Sequence, residues 1–584
     1  MIYYSVKELL SLLNKKQAIY TLFMVLLMIF VALFETLSVA IVIPSILLLL
    51  DPNQLNEFFF KFETFHFLFS LSKQELILYG LLFLLLLFTA KTFFMIFYSW
   101  YESKFVYSLF RSFSQEVFEG YLDQPYIESI QKNTSNIIKN MTTEINAFIN
   151  AFQSITSFTS DALIILCVSS LLFFVSPSSA VMSVLLLIIS IYIYYILTRK
   201  KLFKYGKIRT LYEGLRLQAI QETLGSKKEI LVLGRRQGFV KKYLESNILT
   251  TTAIQKQFLI NSIPKHLIEL IAIITLCLII FVLIFNRFEI TNIISILGLY
   301  AAATFRILPS MNRLISNLQR YRFVMPTLNI MQTEIKSIRK NRKKIKLNSI
   351  SIENIEFKNN LKFENINFSY PNSTSRVINN LTFEIKHGSV IGIMGKSGSG
   401  KTTFVDIFLG LLPIDDGKIF MDDICINNSL ESLQNKIGFV SQNFFLTDDS
   451  IKNNITYGFN ENSIDEDALK NAIKYSNLDS LINSSSNGID TKVGERGMNL
   501  SGGQKQRICI ARALYHNPSI LIFDEATSSL DENNEKSIME SIYHLGKIKT
   551  ILIISHKREI LSGCDSIYIF KNGNLFRDSM YEKK

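Results

Sequence analysis

Cysteine is scarce in this sequence and is not arranged as a metal or disulfide framework. There is no Cys-x-x-Cys pair and no cluster of cysteine with histidine; the five cysteines are Cys167, Cys277, Cys425, Cys509 and Cys564. Structural metal sites and disulfide scaffolds need such spacings, so neither is expected, and a catalytic part that faces the reducing cytosol is favoured. The N-terminus also lacks a short apolar core ending at a small-residue cleavage site, so we expect no cleaved signal peptide.

Hydrophobic and charged residues are mixed in an unusual proportion over the 584 residues. Hydrophobic residues make up 48% and the mean hydropathy is +0.25, yet charged residues still reach 19%. This mixture is typical of a membrane half joined to a soluble half. The net charge of +13 could indicate nucleic acid, but most of the surplus lies beside hydrophobic spans. We therefore expect a lipid bilayer as partner and no nucleic acid.

Apolar runs of spanning length recur along the first part of the chain. They lie at about 18–50, 75–100, 146–174, 179–197, 263–285 and 291–316. A bilayer core of ~30 Å needs roughly 20 helical residues, for which 179–197 is just adequate. The longer runs predict helices that continue into the cytosol. Residues 1–335 are therefore predicted to form an all-α transmembrane domain of six helices.

The placement of lysine and arginine predicts the orientation of these spans. The segments 101–145 and 198–262 hold 18 of these residues, whereas the three opposite loops hold only Lys61, Lys73 and Arg287. Because cytoplasmic loops are enriched in positive charge, both termini and the long loops are predicted to be cytoplasmic.

Two segments outside the spans have an unusual composition. Residues 51–74, predicted to be external, contain seven phenylalanines, an apolar surface that must contact lipid or protein. This segment is either a short interfacial helix that anchors the loop or a docking surface for a lipid tail. The linker 336–356 begins with seven Lys or Arg in the eleven residues from Lys336 to Lys346. Such a run favours a solvated connector that faces lipid headgroups over a nucleic-acid site.

The second part of the chain, 357–584, contains a phosphate-binding loop. Short strand patterns alternate there with helical ones, as in an α/β domain. The apolar strand 390–394 leads directly into GxxxxGK[ST] and then an apolar helix. The residues of this stretch are Gly395, Lys396, Ser397, Gly398, Ser399, Gly400, Lys401, Thr402 and Thr403. Glycines let backbone N–H groups approach phosphates, the lysine reaches the β- and γ-phosphates, and Thr402 would bind Mg²⁺.

A second apolar strand pattern, 520–524, ends in two adjacent carboxylates, Asp524 and Glu525. In such nucleotide sites the first carboxylate binds Mg²⁺ through water, and the second can polarise the attacking water. The alternative is a pair of solvated carboxylates at a strand end. The preceding motif, Leu500-Ser501-Gly502-Gly503-Gln504, disfavours that alternative.

This LSGGQ motif lies between the phosphate loop and the strand pattern 520–524, which leads into the sequence DEATSSLD. The arrangement resembles the signature of the ABC transporter ATPases. Six spans ahead of the ATPase resemble the exporter arrangement, so the resemblance covers the whole chain. It implies ATP and Mg²⁺ as cofactors and catalytic roles for Glu525, Gln442 and His556. Tyr370 resembles the aromatic residue that stacks on adenine. Gln442 resembles the glutamine that senses the γ-phosphate, and with Thr402 and Asp524 it would bind Mg²⁺. Ser528–Asp531 and Glu495 resemble further family loops.

The same resemblance implies a dimer. In the family, each ATP lies between the phosphate loop of one chain and the signature segment of the other, here Lys401 and Ser501 to Gln504. One ATPase per chain therefore predicts a homodimer, although a heterodimer remains possible.

Charged residues inside the predicted spans suggest where a substrate passes. Lys91, Lys265 and Arg306 lie about 16, 20 and 15 residues from the outer ends of their spans, which at ~1.5 Å per residue places them at a similar depth. They either pair with the acidic residues Glu35, Asp161 and Glu269 or line an anion-binding cavity.

A second resemblance favours the cavity. Phe34-Glu35-Thr36, the stretch 306–313 and the aromatic external loop resemble the bacterial flippases of lipid-linked oligosaccharides. This implies ATP-driven flipping of a polyprenyl-pyrophosphate oligosaccharide from the cytoplasmic to the periplasmic leaflet, in the inner membrane, for protein glycosylation. An exporter of another lipid, a drug or a peptide remains open, as does, from another class, an ATP-gated channel or sensor.

Overall fold

The computed structural model describes residues 7, 9–42, 73–175, 177–285, 290–348, 355–371, 373, 375–427, 429–526, 532–546 and 548–579. The phenylalanine-rich segment 51–74, apart from its last two residues, and the whole of Ser528–Asp531 lie outside this set. Within the described part, the chain divides into two compact units. One contains 1–124 and 131–341, and the other contains Pro125–Ile130 and 342–584. The division falls inside the predicted linker 336–356.

The first unit consists of helices. Its elements are α1 (Lys15–Ala40), α2 (Lys73–Leu122), α3 (Tyr126–Gln131, mostly in the second unit), α4 (Thr134–Lys139), a π-helical turn (Asn140–Glu144), α5 (Ile145–Val175), α6 (Pro177–Gly225), α7 (Lys227–Val232), α8 (Arg236–Phe285) and α9 (Ile290–Asn348). As predicted, the long helices extend beyond their apolar runs. Helix α9 continues to Asn348, so the first part of the basic linker is helical.

Five of the helices in the described part are long and apolar enough to cross a membrane: Lys15–Ala40, Ile77–Leu122, Thr134–Val175, Ser179–Gly225 and Arg236–Val282. The sixth predicted span, 291–316, lies in α9, whose first turn includes side chains outside the described set. The sixth span, 291–316, therefore stays a prediction.

Close backbone contact and a buried ion pair hold the extended helices together. A Cβ atom on Gly206 of α6 would lie 1.9 Å from the carbonyl oxygen of Phe323 on α9, so only glycine allows this approach. Nearby, the fully buried Glu144 accepts hydrogen bonds from Arg209 at 2.9 Å and from the Thr327 hydroxyl at 2.5 Å. A buried charge needs such partners, so this network fixes the π-helical turn against α6 and α9.

The second unit is an α/β domain with two sheets. Its strands are β1 (Asn360–Phe368), β2 (Ile378–Lys386), β3 (Val390–Gly395), β4 (Asp416–Met421), β5 (Ile424–Cys425), β6 (Ile437–Val440), β7 (Ile520–Asp524), β8 (Thr550–Ile554), β9 (Ser566–Lys571) and β10 (Asn574–Arg577). Its helices are α10 (Lys401–Phe408), α11 (Leu430–Gln434), α12 (Ile451–Ile455), α13 (Glu466–Tyr475), α14 (Asp479–Ser484), α15 (Gly502–Tyr515) and α16 (Glu532–Leu545).

The sheets position the ends of the motif strands. One sheet is antiparallel in the order β2-β1-β4-β5; the other has the order β10-β9-β3-β8-β7-β6. In the second sheet β9, β3, β8, β7 and β6 are parallel, and β3, β7 and β8 are almost fully buried apolar runs. Both faces of such strands are covered, which is why they lack the alternation of β2. Their carboxyl ends therefore open at one edge.

Candidate nucleotide site and membrane cations

Residues predicted to form the nucleotide site follow four of the parallel strands. The phosphate loop begins at the end of β3, Gln442 lies two residues after β6, Glu525 follows β7 directly, and His556 lies two residues after β8. Carboxyl ends of neighbouring parallel strands form the ligand-binding edge of an open α/β sheet. The sheet therefore brings together residues that are up to 161 positions apart in the sequence, from Gly395 to His556.

The phosphate loop adopts a conformation that depends on glycine. Gly398 and Gly400 have φ angles of 76° and 109°, where a side chain is strained. A Cβ on Gly395 would lie 2.9 Å from the carbonyl oxygen of Phe570. The loop then ends at the first turn of α10, where Lys401 begins the helix.

The loop has the features that a phosphate group requires. Lys401 Nζ donates to the carbonyl oxygens of Gly395 at 2.7 Å and Lys396 at 3.0 Å, so the ammonium lies across the loop. The buried Ser399 hydroxyl has no hydrogen-bond partner among the described residues. An open cleft of about 1020 Å³ is lined by residues 395–399 and His556. These features fit a bound nucleotide; Mg²⁺ would be held by Thr402, Gln442 and Asp524 and would supply charge neutralisation at the phosphates.

Glu525 lies at the centre of the predicted catalytic residues. Gln442 Nε2 donates to Glu525 Oε2 at 2.8 Å, and His556 Nδ1 lies 3.6 Å from Glu525 Oε1. The Glu525 backbone has a φ of 47°, an uncommon conformation for a non-glycine residue that is found at functional sites. The geometry thus holds one carboxylate between two polar side chains, where it can orient and polarise a water molecule.

The electrostatics of the cleft include a carboxylate that the sequence motifs did not indicate. Burial, together with the adjacent charge of Glu525, raises the pKa of Asp524, while Lys401 opposes the shift. Burial and the charge of Asp524 also raise the pKa of Asp406, on α10, to about 6. The available sequence signal was a single acidic residue among the apolar residues of this helix.

The predicted adenine-stacking residue lies beside the loop. The Tyr370 hydroxyl is 3.1 Å from the Thr403 hydroxyl, and its ring packs edge-on against Phe368. Burial and the charges of Asp406 and Tyr370 raise the pKa of Tyr126 on α3, which places α3 next to this residue in the second unit. Sequence motifs gave no indication of Tyr126.

The signature segment forms a helix start with an exposed face. The Ser501 hydroxyl accepts from the backbone N–H of Gln504 at 3.3 Å, and Gln504 Oε1 accepts from the N–H of Ser501 at 2.8 Å. Ser501 and Gly502 are exposed and Gly503 is half-buried, so this helix N-terminus is available to a phosphate of another chain.

In the first unit, two of the three predicted substrate cations meet at one carboxylate. Lys91 Nζ lies 2.7 Å from Glu35 Oε2, and Arg306 Nη2 lies 2.5 Å from Glu35 Oε1. Lys265 is exposed, and its expected neighbour Glu269 lies 3.8 Å from His266 instead. Asp161 is bound by Arg313 at 2.7 Å, a pair that was not expected. A cavity shared by all three cations remains a prediction.

Comparison with known proteins agrees with both units. Residues 378–528 match the family described as ABC transporter. An ATP-dependent lipid A-core flippase of Aliivibrio fischeri is 36% identical over 38% of this chain and 39% of its own length, so the match spans about two fifths of that relative. The corresponding protein of Shewanella denitrificans is 28% identical over 80% of this chain and 78% of its own.

A solved structure, described as a bacterial Atm1-family ABC exporter with ATP bound, covers 96% of this chain and 94% of its own, with a TM-score of 0.73 and 19% identity. The fold therefore extends over both units. The chain has the fold of an ABC exporter. Its second unit contains the segment that matches the ABC transporter family, here called the ABC domain, and the resemblance inferred from LSGGQ and the phosphate loop is confirmed.

Replacing Glu525 by Gln in this ABC domain preserves the shape of the side chain but removes the carboxylate that is predicted to polarise water. ATP should still bind, and steady-state phosphate release should fall by ~10²–10⁴-fold, the scale of general-base catalysis. Glu540→Gln, an exposed site on α16, is the matched control and should retain turnover. Turnover above about a tenth of wild type in Glu525→Gln would contradict the assignment, because that loss is smaller than the expected range.

Asp406→Asn should change how stability depends on pH. Burial and the charge of Asp524 raise the folded-state pKa of Asp406 from 3.8 to about 6. The contribution of this carboxyl group to the free energy of unfolding is therefore fully present below pH 3.8, where the group is protonated, and is lost as the pH rises through about 6. Without nucleotide or Mg²⁺, the variant should melt higher than wild type at neutral pH, and the difference should shrink on acidification. Asp467→Asn, a nearly fully exposed carboxylate, should show no such trend. A pH-independent difference would contradict the interpretation.

Proposed function

We propose that this half-transporter uses ATP to flip a polyprenyl-pyrophosphate-linked oligosaccharide from the cytoplasmic to the periplasmic leaflet of the bacterial inner membrane. The observation that carries the substrate class is the cluster of Glu35, Lys91 and Arg306. Two positive charges meet one negative charge there, which leaves one positive charge in excess. The pair Arg313–Asp161 is balanced and leaves that excess unchanged.

The surroundings make an uncompensated charge expensive. Only 2% of the Glu35 side chain is exposed, and the exposed fractions of Lys91 and Arg306 are 16% and 22%. A charge at this depth in a membrane costs roughly 2.5–3.5 kcal/mol on insertion scales. An anionic group from a ligand would offset that cost. The buried Arg306 Nε has no hydrogen-bond partner among the described residues, so it offers one further donor.

A pyrophosphate suits these donors better than a neutral or cationic ligand. Phosphate oxygens accept several charge-assisted hydrogen bonds, and arginine binds them in a forked geometry. The third predicted cation, Lys265, would join the site from a different helix, α8. In a homodimer, which we also propose, two such sets would be present, and each ATP would lie between Lys401 of one chain and Ser501 of the other.

The relatives favour a second candidate within the same class. Proteins described as lipid A-core flippases match this chain, which supports a lipid A-core glycolipid as an alternative cargo. Export of a drug or a peptide has no comparable support. An ATP-gated channel or sensor is disfavoured because Gln442 and His556 flank Glu525, an arrangement that suits hydrolysis.

Arg306→Ala tests the substrate class. It removes the excess charge, so transfer of a lipid-linked oligosaccharide in proteoliposomes should fall by roughly 10-fold or more, the scale of one charge-assisted hydrogen bond. Basal ATPase should remain, because the cleft is unchanged. Arg199→Ala, at an exposed position of α6, is the matched control. Full transfer by Arg306→Ala, or transfer of lipid A-core but not of the oligosaccharide lipid by wild type, would reject the proposed cargo.

Mixing two inactive variants tests the dimer. Ser501→Ala and Lys401→Ala should each be nearly inactive alone, whereas a mixed dimer carries both lesions in one composite site and none in the other. Co-purified mixed dimers should therefore regain measurable ATPase. If they stay as inactive as their parents, either both sites are obligatory or the composite site is wrong, and a covalently linked dimer distinguishes these outcomes.

A further inference from the structure

The carboxylate of Glu35 contacts both of the cations that the proposed function assigns to an anionic head group. Its two oxygens face different cations, Oε2 toward Lys91 at 2.7 Å and Oε1 toward Arg306 at 2.5 Å. Lys91 Nζ also donates to the Ser38 hydroxyl at 3.0 Å, one turn along α1. Helix α1 thus supplies an internal ligand for cations that belong to α2 and α9.

We propose that Glu35 is an internal counter-ion that makes this site select head groups with two or more negative charges over singly charged ones. The inference rests on the proposed function, in which Lys91 and Arg306 bind a lipid diphosphate. It goes further by assigning a specificity-determining role to a residue of the same sign as the substrate.

The physical basis is competition for the same two cations. A singly charged lipid phosphate offers no more charge than Glu35, which is already buried and in contact, so exchange gains little. A diphosphate offers more charge and more acceptor oxygens, and it can contact both cations at once. In a medium of low dielectric constant the attraction of the extra charge is strong, so the balance shifts toward the diphosphate. Selection against abundant anionic phospholipids follows from this difference.

The test compares two lipids that share a polyprenyl tail and a terminal sugar and differ in head-group charge. In the monophosphate lipid the sugar is joined through one phosphodiester, which carries one negative charge, and in the diphosphate lipid it is joined through a diphosphate, which carries two. Binding to the full-length protein in nanodiscs of zwitterionic lipid is measured for wild type and Glu35→Gln. Wild type should prefer the diphosphate, and Glu35→Gln should lose this preference by roughly 10-fold through tighter monophosphate binding, the scale of one charge-assisted hydrogen bond. Added phosphatidylglycerol should compete in the variant and not in wild type.

Asp161→Asn is the matched control, because it removes a buried carboxylate that is paired with a different cation, Arg313. A preference lost in Glu35→Gln and kept in Asp161→Asn supports the proposal. A preference unchanged in Glu35→Gln, or lost equally in both, overturns it while leaving the proposed cargo intact. If wild type binds neither lipid, the proposed function itself fails. Melting temperatures identify a variant that does not fold. If Glu35→Gln does not fold, Glu35→Asp replaces it, and its shorter carboxylate should weaken the preference partly. An unchanged preference in Glu35→Asp also overturns the proposal.

Discussion

A carboxylate removed from water must find positive charge or hydrogen-bond donors, and this constraint organises both units of the molecule. In the first unit, Glu144 is fully buried and bonds Arg209 and Thr327, which ties the π-helical turn to two long helices. Within the apolar runs, Glu35 joins α1 to α2 and α9 through two cations. Breaking such a pair strands a buried charge, so these contacts restrict how the helices can pack.

The same constraint has a different use in the ABC domain. Asp524 and Glu525 lie at the end of a buried parallel strand, and burial, together with the neighbouring negative charge, raises the pKa of Asp524 and of Asp406. Such a site favours the arrival of positive charge, which Mg²⁺ would provide together with a bound nucleotide. Glu525 keeps its position through Gln442, whose strand lies at the edge of the sheet. The unfavourable free energy of holding these carboxylates close together is thus located at the site where a bound cation would reduce it.

The sequence predicted the ABC domain more completely than the membrane cations. A phosphate loop requires consecutive residues, so its glycines and Lys401 identify the local structure without distant information. The roles of Gln442, Glu525 and His556 followed from resemblance and stay predictions, although the structure brings the three side chains together. Residue counting along a helix gives depth but not direction around the axis. Lys91, Lys265 and Arg306 therefore seemed equivalent, although only two of them meet Glu35 and Lys265 is exposed. Tyr126 and Asp406 also escaped prediction, because their proximity to the cleft depends on tertiary packing.

The nucleotide site and the cluster of Glu35, Lys91 and Arg306 both hold cationic side chains, but different acceptors bind these cations. Lys401 is held by the neutral carbonyl oxygens of Gly395 and Lys396, whereas Lys91 and Arg306 are held by the charged carboxylate of Glu35. A phosphate group readily replaces a carbonyl dipole at an ammonium, because full charge binds the cation more strongly. Replacing a buried carboxylate is harder and favours ligands of higher charge. Under the proposed function, the choice of internal acceptor would therefore distinguish a site that admits a nucleotide from one that discriminates against the singly charged lipids around it.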